Sequence, residues 1–272
     1  MIGLFFSENN SFSGKDKIAV LNIDTVIIQS KDYLKSIKKI RENKTVKAVL
    51  VRINSPGGAV GPSQEIFSEL EALGKEMPVV ASMDNVAASG GYYIACAAEK
   101  IYANPGTITG SIGVIAQFAN YKELLEWAKV DVEVIKSGNF KDIGSPFKKM
   151  LPEEKLYIQK LIENVHTQFK KVVSEKRGID YEKLSTIADG RIYTGEQAKE
   201  INLVDELGNF TAALNKAAEL AGIEGEPEIL EFPKETSPIL DLLLSKSQTS
   251  ARLLNNPIKT SFGLFYIANI GY

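Results

Sequence analysis

The chain has 272 residues, a formal net charge of −2 at pH 7 and 44% hydrophobic residues, a composition typical of a soluble globular protein. Its near-neutral charge and dispersed basic residues give no electrostatic reason to expect a nucleic-acid partner. One cysteine, Cys96, excludes an internal disulfide framework, and a single histidine, His166, argues against a Cys/His metal site.

The first 120 residues alternate between two patterns. Short apolar, β-branched runs predict strands, and apolar residues at intervals of three and four predict helices. In chain order, these patterns predict strand Lys17–Ile23, helix Asp32–Arg41, strand Ala48–Ile53, helix Pro62–Leu73, and strands Pro78–Met83, Lys100–Ala103 and Ser111–Ile115.

The second half is less regular. A further apolar run predicts a strand, a long polar loop follows it, and a strongly amphipathic segment predicts a long helix. The predicted elements are strand Asp131–Ile135 and helices Pro152–Lys176, Thr194–Glu200 and Thr211–Ala221.

The alternation of strands and helices predicts an α/β fold with a largely parallel sheet and flanking helices. We expect an N-terminal tail over residues 1–16, a main domain over 17–221 and an extension over 222–272. The apolar stretch Ile2–Phe6 is far shorter than the ~20 residues that span a bilayer, so the tail suggests a stub next to a removed anchor. The apolar end of the extension is expected to pack on a neighbouring subunit, with a core role in its own subunit as the alternative.

Residues 84–98, DNVAASGGYYIACAA, place a serine before an alanine-rich run typical of a buried helix. Ser89 fits a helix N-cap, because serine is a favoured cap residue. It also fits a nucleophile, because the backbone N–H of Gly90 lies next to it and a glycine turn elsewhere can bring a second N–H close. Two such donors would form an oxyanion hole, and both interpretations remain open.

A serine nucleophile needs a base, and histidine is its usual partner. His166 lies beside the apolar stripe of predicted helix 152–176, a position that favours a structural role. A lysine can replace histidine when it is neutral, and burial favours the neutral form. Lys136 and Lys141 both lie in the region after Asp131–Ile135, and composition and spacing do not choose between them.

Six segments together resemble the signal peptide peptidase A family. Members of this family are serine peptidases with a Ser/Lys dyad on the Clp protease/crotonase fold, which is built from repeated ββα units. The segments are VRINSPGG (51–58), DNVAASGGYYIA (84–95), GTITGSIGVI (106–115), KSGNFKDIGSPF (136–147), DGRIYTGEQA (189–198) and LVDELG (203–208).

The resemblance implies a role for five positions of this sequence. Ser89 matches the nucleophile, Lys141 the general base, and Gly58 and Gly90 the two backbone oxyanion donors. Ser111 matches the serine that orients the lysine. The implied reaction requires no metal and no cofactor.

The resemblance also implies partners and a location. The implied substrates are unfolded, apolar peptides, cleaved signal peptides among them, bound in extended form along a strand edge. The chain resembles the short form of the family, in which a homo-oligomeric ring, commonly an octamer, completes each groove. Membrane association with the active site outside the cytoplasm is implied if an anchor has been removed, and a soluble cytoplasmic protein otherwise.

Two other functions are compatible with glycine turns on this fold. A crotonase-like acyl-CoA enzyme would use the turns to hold a thioester enolate, which leaves Ser89 and Lys141 without roles. A non-enzymatic assembly protein on the same fold would carry an inactive dyad and would not depend on Ser89.

Overall fold

A computed structural model describes residues 16–232 and 264–268 of the chain. Its strands are β1 (Lys17–Asp24), β2 (Val46–Ser55), β3 (Gly57–Ala59), β4 (Val79–Ala88), β5 (Lys100–Ala103), β6 (Ile108–Gly110), β7 (Ile192–Thr194), β8 (Glu206–Leu207), β9 (Glu228–Phe232) and β10 (Phe265–Ile267). Its helices are α1 (Lys31–Glu42), α2 (Val60–Leu73), α3 (Gly90–Ala95), α4 (Lys122–Trp127), α5 (Pro152–Arg177), α6 (Tyr181–Ser185), α7 (Gly195–Glu200) and α8 (Phe210–Leu220).

The main sheet has eight strands. Six follow the order β7-β6-β4-β2-β1-β9, while β5 pairs with β4 and β8 pairs with β5. Every pair in this sheet is parallel except β6 with β7. The predicted α/β fold with a largely parallel sheet and flanking helices is therefore confirmed.

The sheet is buried on both faces, as parallel sheets with crossover helices require. Side chains of β1 alternate between the two faces, because successive residues of a strand point in opposite directions. Ile18 and Val20 belong to the core beneath α8, whereas Leu21 and Ile23 belong to the larger core beneath α1 and α2. The continuous apolar run that predicts β1 reflects this burial on both sides.

Two predicted strands are wrong. Residues Asp131–Ile135 form no strand, and Ile135 is 93% exposed, because an apolar run becomes a strand only where another strand pairs with it. Residues Ser111–Ile115 likewise form no continuous strand: β6 ends at Gly110, Ser111 has a positive φ of 51°, and Ile115 makes only an isolated bridge.

The described parts of the C-terminal extension pair with the same chain. Strand β9 adds to the edge of the main sheet beside β1, and β10 pairs antiparallel with β3. Residues 1–15, 233–263 and 269–272 lie outside the described residues, so packing of the extension on a neighbouring subunit remains a prediction. Among the helices of the described part, none is long and apolar enough to cross a membrane.

Candidate active site

Ser89 lies at the turn between strand β4 and helix α3. Its backbone has φ 53° and ψ −113°, a region that costs a non-glycine residue on the order of 1–3 kcal/mol. Two backbone hydrogen bonds hold the turn: Ser89 N donates to Gly110 O at 2.8 Å, and Tyr93 N donates to Ser89 O at 2.8 Å. Strain of this kind is typical of nucleophiles on sharp strand-to-helix turns.

The Ser89 hydroxyl is fully buried, and Oγ has no hydrogen-bond partner among the described residues. A helix N-cap would accept a bond from the first turn of α3, and Ser89 makes no such bond. A buried hydroxyl without a partner costs stability, so it is rarely kept for structural reasons. The geometry therefore favours a chemical role for Ser89 over a capping role.

Two glycine segments meet beside Ser89. The backbone nitrogen of Gly58 lies 3.1 Å from the point where a Cβ on Gly90 would stand. A Cβ on Gly57 would stand 2.6 Å from the backbone nitrogen of Gly90. The two segments that carry the predicted oxyanion donors are thus in direct contact, which side chains would prevent.

Replacing Gly57 by alanine should abolish peptide cleavage and destabilise the fold. Gly57 has φ +100°, which alanine adopts with strain, and the new methyl group would stand 2.1 Å from the Tyr266 carbonyl oxygen and 2.6 Å from Gly90 N. We expect a loss of about 2 kcal/mol or more in the free energy of unfolding, measured by urea denaturation.

Gly61→Ala is the matched control, because Gly61 is exposed in the first turn of α2 and, among the described residues outside its chain neighbours and its own helix backbone, no atom lies within 4 Å of its Cβ position. This variant should keep full activity and unchanged or slightly higher stability. Normal activity in Gly57→Ala would contradict the close contact between the two glycine segments.

Ser111 is next to the residue that supports the Ser89 turn. Its neighbour Gly110 provides the carbonyl that accepts from Ser89 N, and Ser111 N itself donates to Arg191 O at 2.8 Å. Ser111 is buried and has a positive φ, and it lies just after the end of β6. Its role as an orienting residue for the lysine remains a prediction.

The three candidate bases have different surroundings. His166 Nε2 lies 3.1 Å from the carbonyl oxygen of Ile112, and burial lowers the pKa of its imidazole. Lys136 Nζ donates to the Asp142 carboxylate at 2.7 Å and is therefore held in an ion pair. None of the three, Lys141 included, hydrogen-bonds to Ser89 Oγ.

Lys141 lies in the exposed segment between α4 and α5, where it lines a cavity of about 930 Å³ with Gln117, Phe118, Ala119, Tyr121, Asp142, Ile143, Gly144, Ser145 and Pro146. Within the described part of the chain, its ammonium group forms no ion pair or hydrogen bond. Ser89 is not among the residues of this cavity, so the pairing of Ser89 with Lys141 remains a prediction.

The sequence reasoning missed two features of this region. It assigned no role to Gly57, although the φ of +100° and the contact with Gly90 make this position as restrictive as Gly58. It also did not predict that Tyr266, in the apolar tail, lies against both glycine segments. The adjacent pair Gly57-Gly58 is a local sequence signal for the role of Gly57. The contact of Tyr266 with Gly57 and Gly58 spans more than 200 residues and has no local sequence signal.

Comparison with known proteins identifies the family. Residues 71–224, which include Ser89 and Lys141, match the model of peptidase family S49. A Synechocystis protein named "Putative protease slr0021" is 44% identical over 244 residues, covering 88% of this chain and 88% of that protein. An Enterococcus faecium protein named "Putative signal peptide peptidase SppA" is 40% identical over 207 residues, covering 76% of this chain and 60% of that protein.

A longer relative shows the same likeness over a smaller share of its length. Protease 4 of Salmonella typhi is 34% identical over 256 residues, which cover 93% of this chain and 40% of that protein. The mixed α/β architecture with a mostly parallel sheet agrees with the Clp protease/crotonase type of fold. On these matches, the chain is a serine-type protease that belongs to peptidase family S49, the family of signal peptide peptidase A.

Proposed function

We propose that this protease is an endopeptidase that cleaves unfolded, apolar peptides, cleaved signal peptides among them, with Ser89 as nucleophile and Lys141 as general base. The observation that carries the proposal is the Ser89 turn: a strained, buried serine whose hydroxyl has no partner within the described residues, beside two glycine segments in contact. Such a hydroxyl is free to attack a carbonyl carbon placed against the glycine N–H groups.

The proposed reaction follows the usual course of acyl transfer. Neutral Lys141 accepts the Ser89 proton as Oγ attacks the peptide carbonyl, and the backbone N–H groups of Gly58 and Gly90 stabilise the oxyanion. Protonated Lys141 then donates to the leaving amine, which releases the C-terminal part of the peptide. The same lysine activates the water that hydrolyses the acyl-enzyme.

We further propose that the lysine acts on Ser89 of a neighbouring copy in a homo-oligomeric ring. Lys141 forms no ion pair within the described residues, whereas Lys136 and Lys148 each form an ion pair with the Asp142 carboxylate. The stretch from α4 to the start of α5, which carries Lys141, is also unusually apolar at its surface: Trp127, at the end of α4, is 82% exposed and Ile135 is 93% exposed. Apolar exposure of this extent is typical of a surface that a second copy covers.

Covalent labelling tests the nucleophile. A small fluorophosphonate should modify the native protein at one residue, and peptide mapping should place the modification on Ser89. The thermally unfolded protein should not react, because an unactivated serine is a poor nucleophile. Modification of another residue, or no modification of the folded protein, would contradict Ser89 as nucleophile. Absence of modification would favour a non-enzymatic role or an acyl-CoA activity. A CoA-binding titration would detect the acyl-CoA activity.

His166→Gln provides a control for the choice of base. The His166 ring contacts the Ile112 carbonyl rather than Ser89, so this variant should be labelled at the wild-type rate. Loss of labelling in His166→Gln alone would favour a Ser/His mechanism instead.

A further inference from the structure

Four charged side chains form a connected network next to Lys141. The Asp142 carboxylate accepts from Lys136 Nζ at 2.7 Å and from Lys148 Nζ at 2.9 Å. Lys148 Nζ also donates to the carboxylate of Glu154, the third residue of helix α5. The network thus contains two lysines and two carboxylates, and its formal charges cancel.

Glu154 attaches this network to the start of helix α5. Its side chain is only 1% exposed, and its second oxygen accepts from Leu151 N at 2.8 Å. A buried carboxylate is costly without a partner, so Glu154 keeps the Lys148 ammonium beside it. The backbone of Lys148 is held as well, because its carbonyl oxygen accepts from Asn120 Nδ2 at 3.1 Å. The contact between Lys148 and Asp142 is therefore supported by the helix end and not by the surface segment alone.

The network keeps both carboxylates ionised. Hydrogen bonds from Lys136 and Lys148 lower the pKa of the Asp142 carboxyl to about 2. Hydrogen bonds from Lys148 and from the Leu151 N–H lower the pKa of Glu154. The two carboxylates in turn raise the pKa of Lys148, Glu154 more than Asp142. Asp142, Glu154 and Lys148 therefore keep their charges between about pH 5 and pH 9.

Lys141 and Asp142 line the same cavity of about 930 Å³. Among the described residues of that lining, Asp142 is the one carboxylate, and the Tyr121 phenol is the other titratable group. An anion beside a lysine favours the charged form of its amine, whereas a general base must be neutral. A free Asp142 carboxylate would therefore work against Lys141 as a base.

The structure pairs Asp142 with other lysines instead. Lys136 and Lys148 both bind its carboxylate, and the Lys141 ammonium forms no ion pair within the described residues. The charged side chains of helix α4 are paired outside this network, in Lys122–Glu126 at 3.4 Å and Lys149–Glu123 at 2.7 Å. Asp142 is therefore the anion with the most direct access to the proposed base.

We propose that Lys148, fixed by Glu154, is a positioning residue that keeps the Asp142 carboxylate away from Lys141. With Asp142 occupied, the Lys141 amine has no anion to stabilise its charged form, so it can act as a base at lower pH than beside a free carboxylate. Lys136 supplies a second contact to the same carboxylate. The inference rests on the proposed function, because it takes Lys141 as the general base.

The pH profile of Lys148→Gln tests this role. The glutamine amide can still donate to Glu154 but does not neutralise Asp142, so the pH of half-maximal kcat/KM should rise by about one unit. Cleavage below the midpoint should then fall by about tenfold, while the alkaline plateau stays near the wild-type rate. Adding Asp142→Asn should return the midpoint to the wild-type value or below it.

Lys149→Gln is the matched control. Lys149 follows Lys148 in the chain, but it pairs with Glu123 and is not among the described residues that line the cavity. Its replacement removes the same charge and should leave the midpoint unchanged. If Lys148 is only structural, Lys148→Gln will lower cleavage at every pH without moving the midpoint, and Asp142→Asn will not restore it. That result would overturn the inference.

Asp142→Asn alone tests the same charge without disturbing Glu154. Lys148 keeps its bond to Glu154 in this variant, so the start of α5 is preserved even if Lys148→Gln fails to fold. Loss of the carboxylate should lower the pH midpoint of cleavage, because the amine then has no anion beside it. An unchanged or higher midpoint would contradict the proposed role of Asp142.

Chemical labelling of the Lys141 amine separates this inference from the proposed chemistry. In Ser89→Ala protein, brief acetylation with acetic anhydride over a pH series, read by mass spectrometry, gives the pH at which the amine is half reactive. Lys148→Gln should raise that pH by about one unit, and Lys149→Gln should not. A shift in labelling without a shift in cleavage would support the role of Lys148 and contradict Lys141 as the base. No shift in either, with Lys141→Ala inactive, would overturn the inference and leave the proposed function standing.

Discussion

Replacing Ser89 by alanine should reduce peptide cleavage by at least about 10³-fold, because the proposed reaction has no other group that can form the acyl-enzyme. The same variant should be at least as stable as the wild type. The Ser89 hydroxyl is buried and has no partner within the described residues, so its removal should hold or raise the free energy of unfolding, by about 1 kcal/mol. Cleavage of an unfolded, apolar protein and urea denaturation measure the two effects.

Ser174→Ala is the matched control, because Ser174 Oγ donates to Ile179 O at 2.7 Å near the end of α5. Loss of that bond should lower the free energy of unfolding by about 1 kcal/mol and leave cleavage unchanged. The two serine variants should therefore show opposite patterns of activity and stability. Residual cleavage above about one hundredth of the wild-type rate in Ser89→Ala would be incompatible with Ser89 as the nucleophile.

Mixing two inactive variants should restore part of the activity if Lys141 acts across a subunit boundary. Lys141→Ala keeps the nucleophile and Ser89→Ala keeps the base, so each homo-oligomer lacks one half of the dyad. In a ring assembled at random from equal amounts, half of the sites keep Ser89 and half of their neighbours supply Lys141. We therefore expect about one quarter of the wild-type activity from co-expressed subunits.

The same mixture has an unambiguous negative result. If the dyad forms within one chain, no mixed site contains both residues and the mixture stays inactive, even where native mass measurements show mixed rings. Lys136→Ala is the control for the choice of lysine. Lys136 forms an ion pair with Asp142 at 2.7 Å, so the Lys136→Ala variant should keep most of the activity. Wild-type cleavage by Lys141→Ala would contradict the Ser/Lys dyad and return attention to Lys136.

The predicted elements succeed where burial is decided locally. The apolar runs predict β1 and β2, and the spacing of apolar residues predicts the buried faces of α1, α2 and α5. All five elements lie within two residues of their predicted bounds. The predicted strand Asp131–Ile135 fails because a strand requires a partner that the run itself does not specify. Strand β10 was not predicted for the same reason, since three residues pair with a segment about 200 positions earlier.

The candidate site divides in a similar way. The glycine pairs and Ser89 are recognisable because a small set of residue types satisfies such turns. The positive φ of Ser89, and the absence of a hydrogen-bond partner for its hydroxyl among the described residues, follow from how β4 meets α3 and β6, which the motif alone does not state. The aromatic surroundings of Tyr266 combine residues from α3, α5 and β10, three elements far apart in the sequence.

Because β10 and β3 belong to the same molecule, the contact between them is independent of protein concentration. Residues Phe265–Ile267 therefore stay beside Gly57–Ala59 at every dilution as long as the chain is intact. Cleavage of the backbone between β9 and β10 would make the same contact bimolecular, and dilution would then separate the strand from β3.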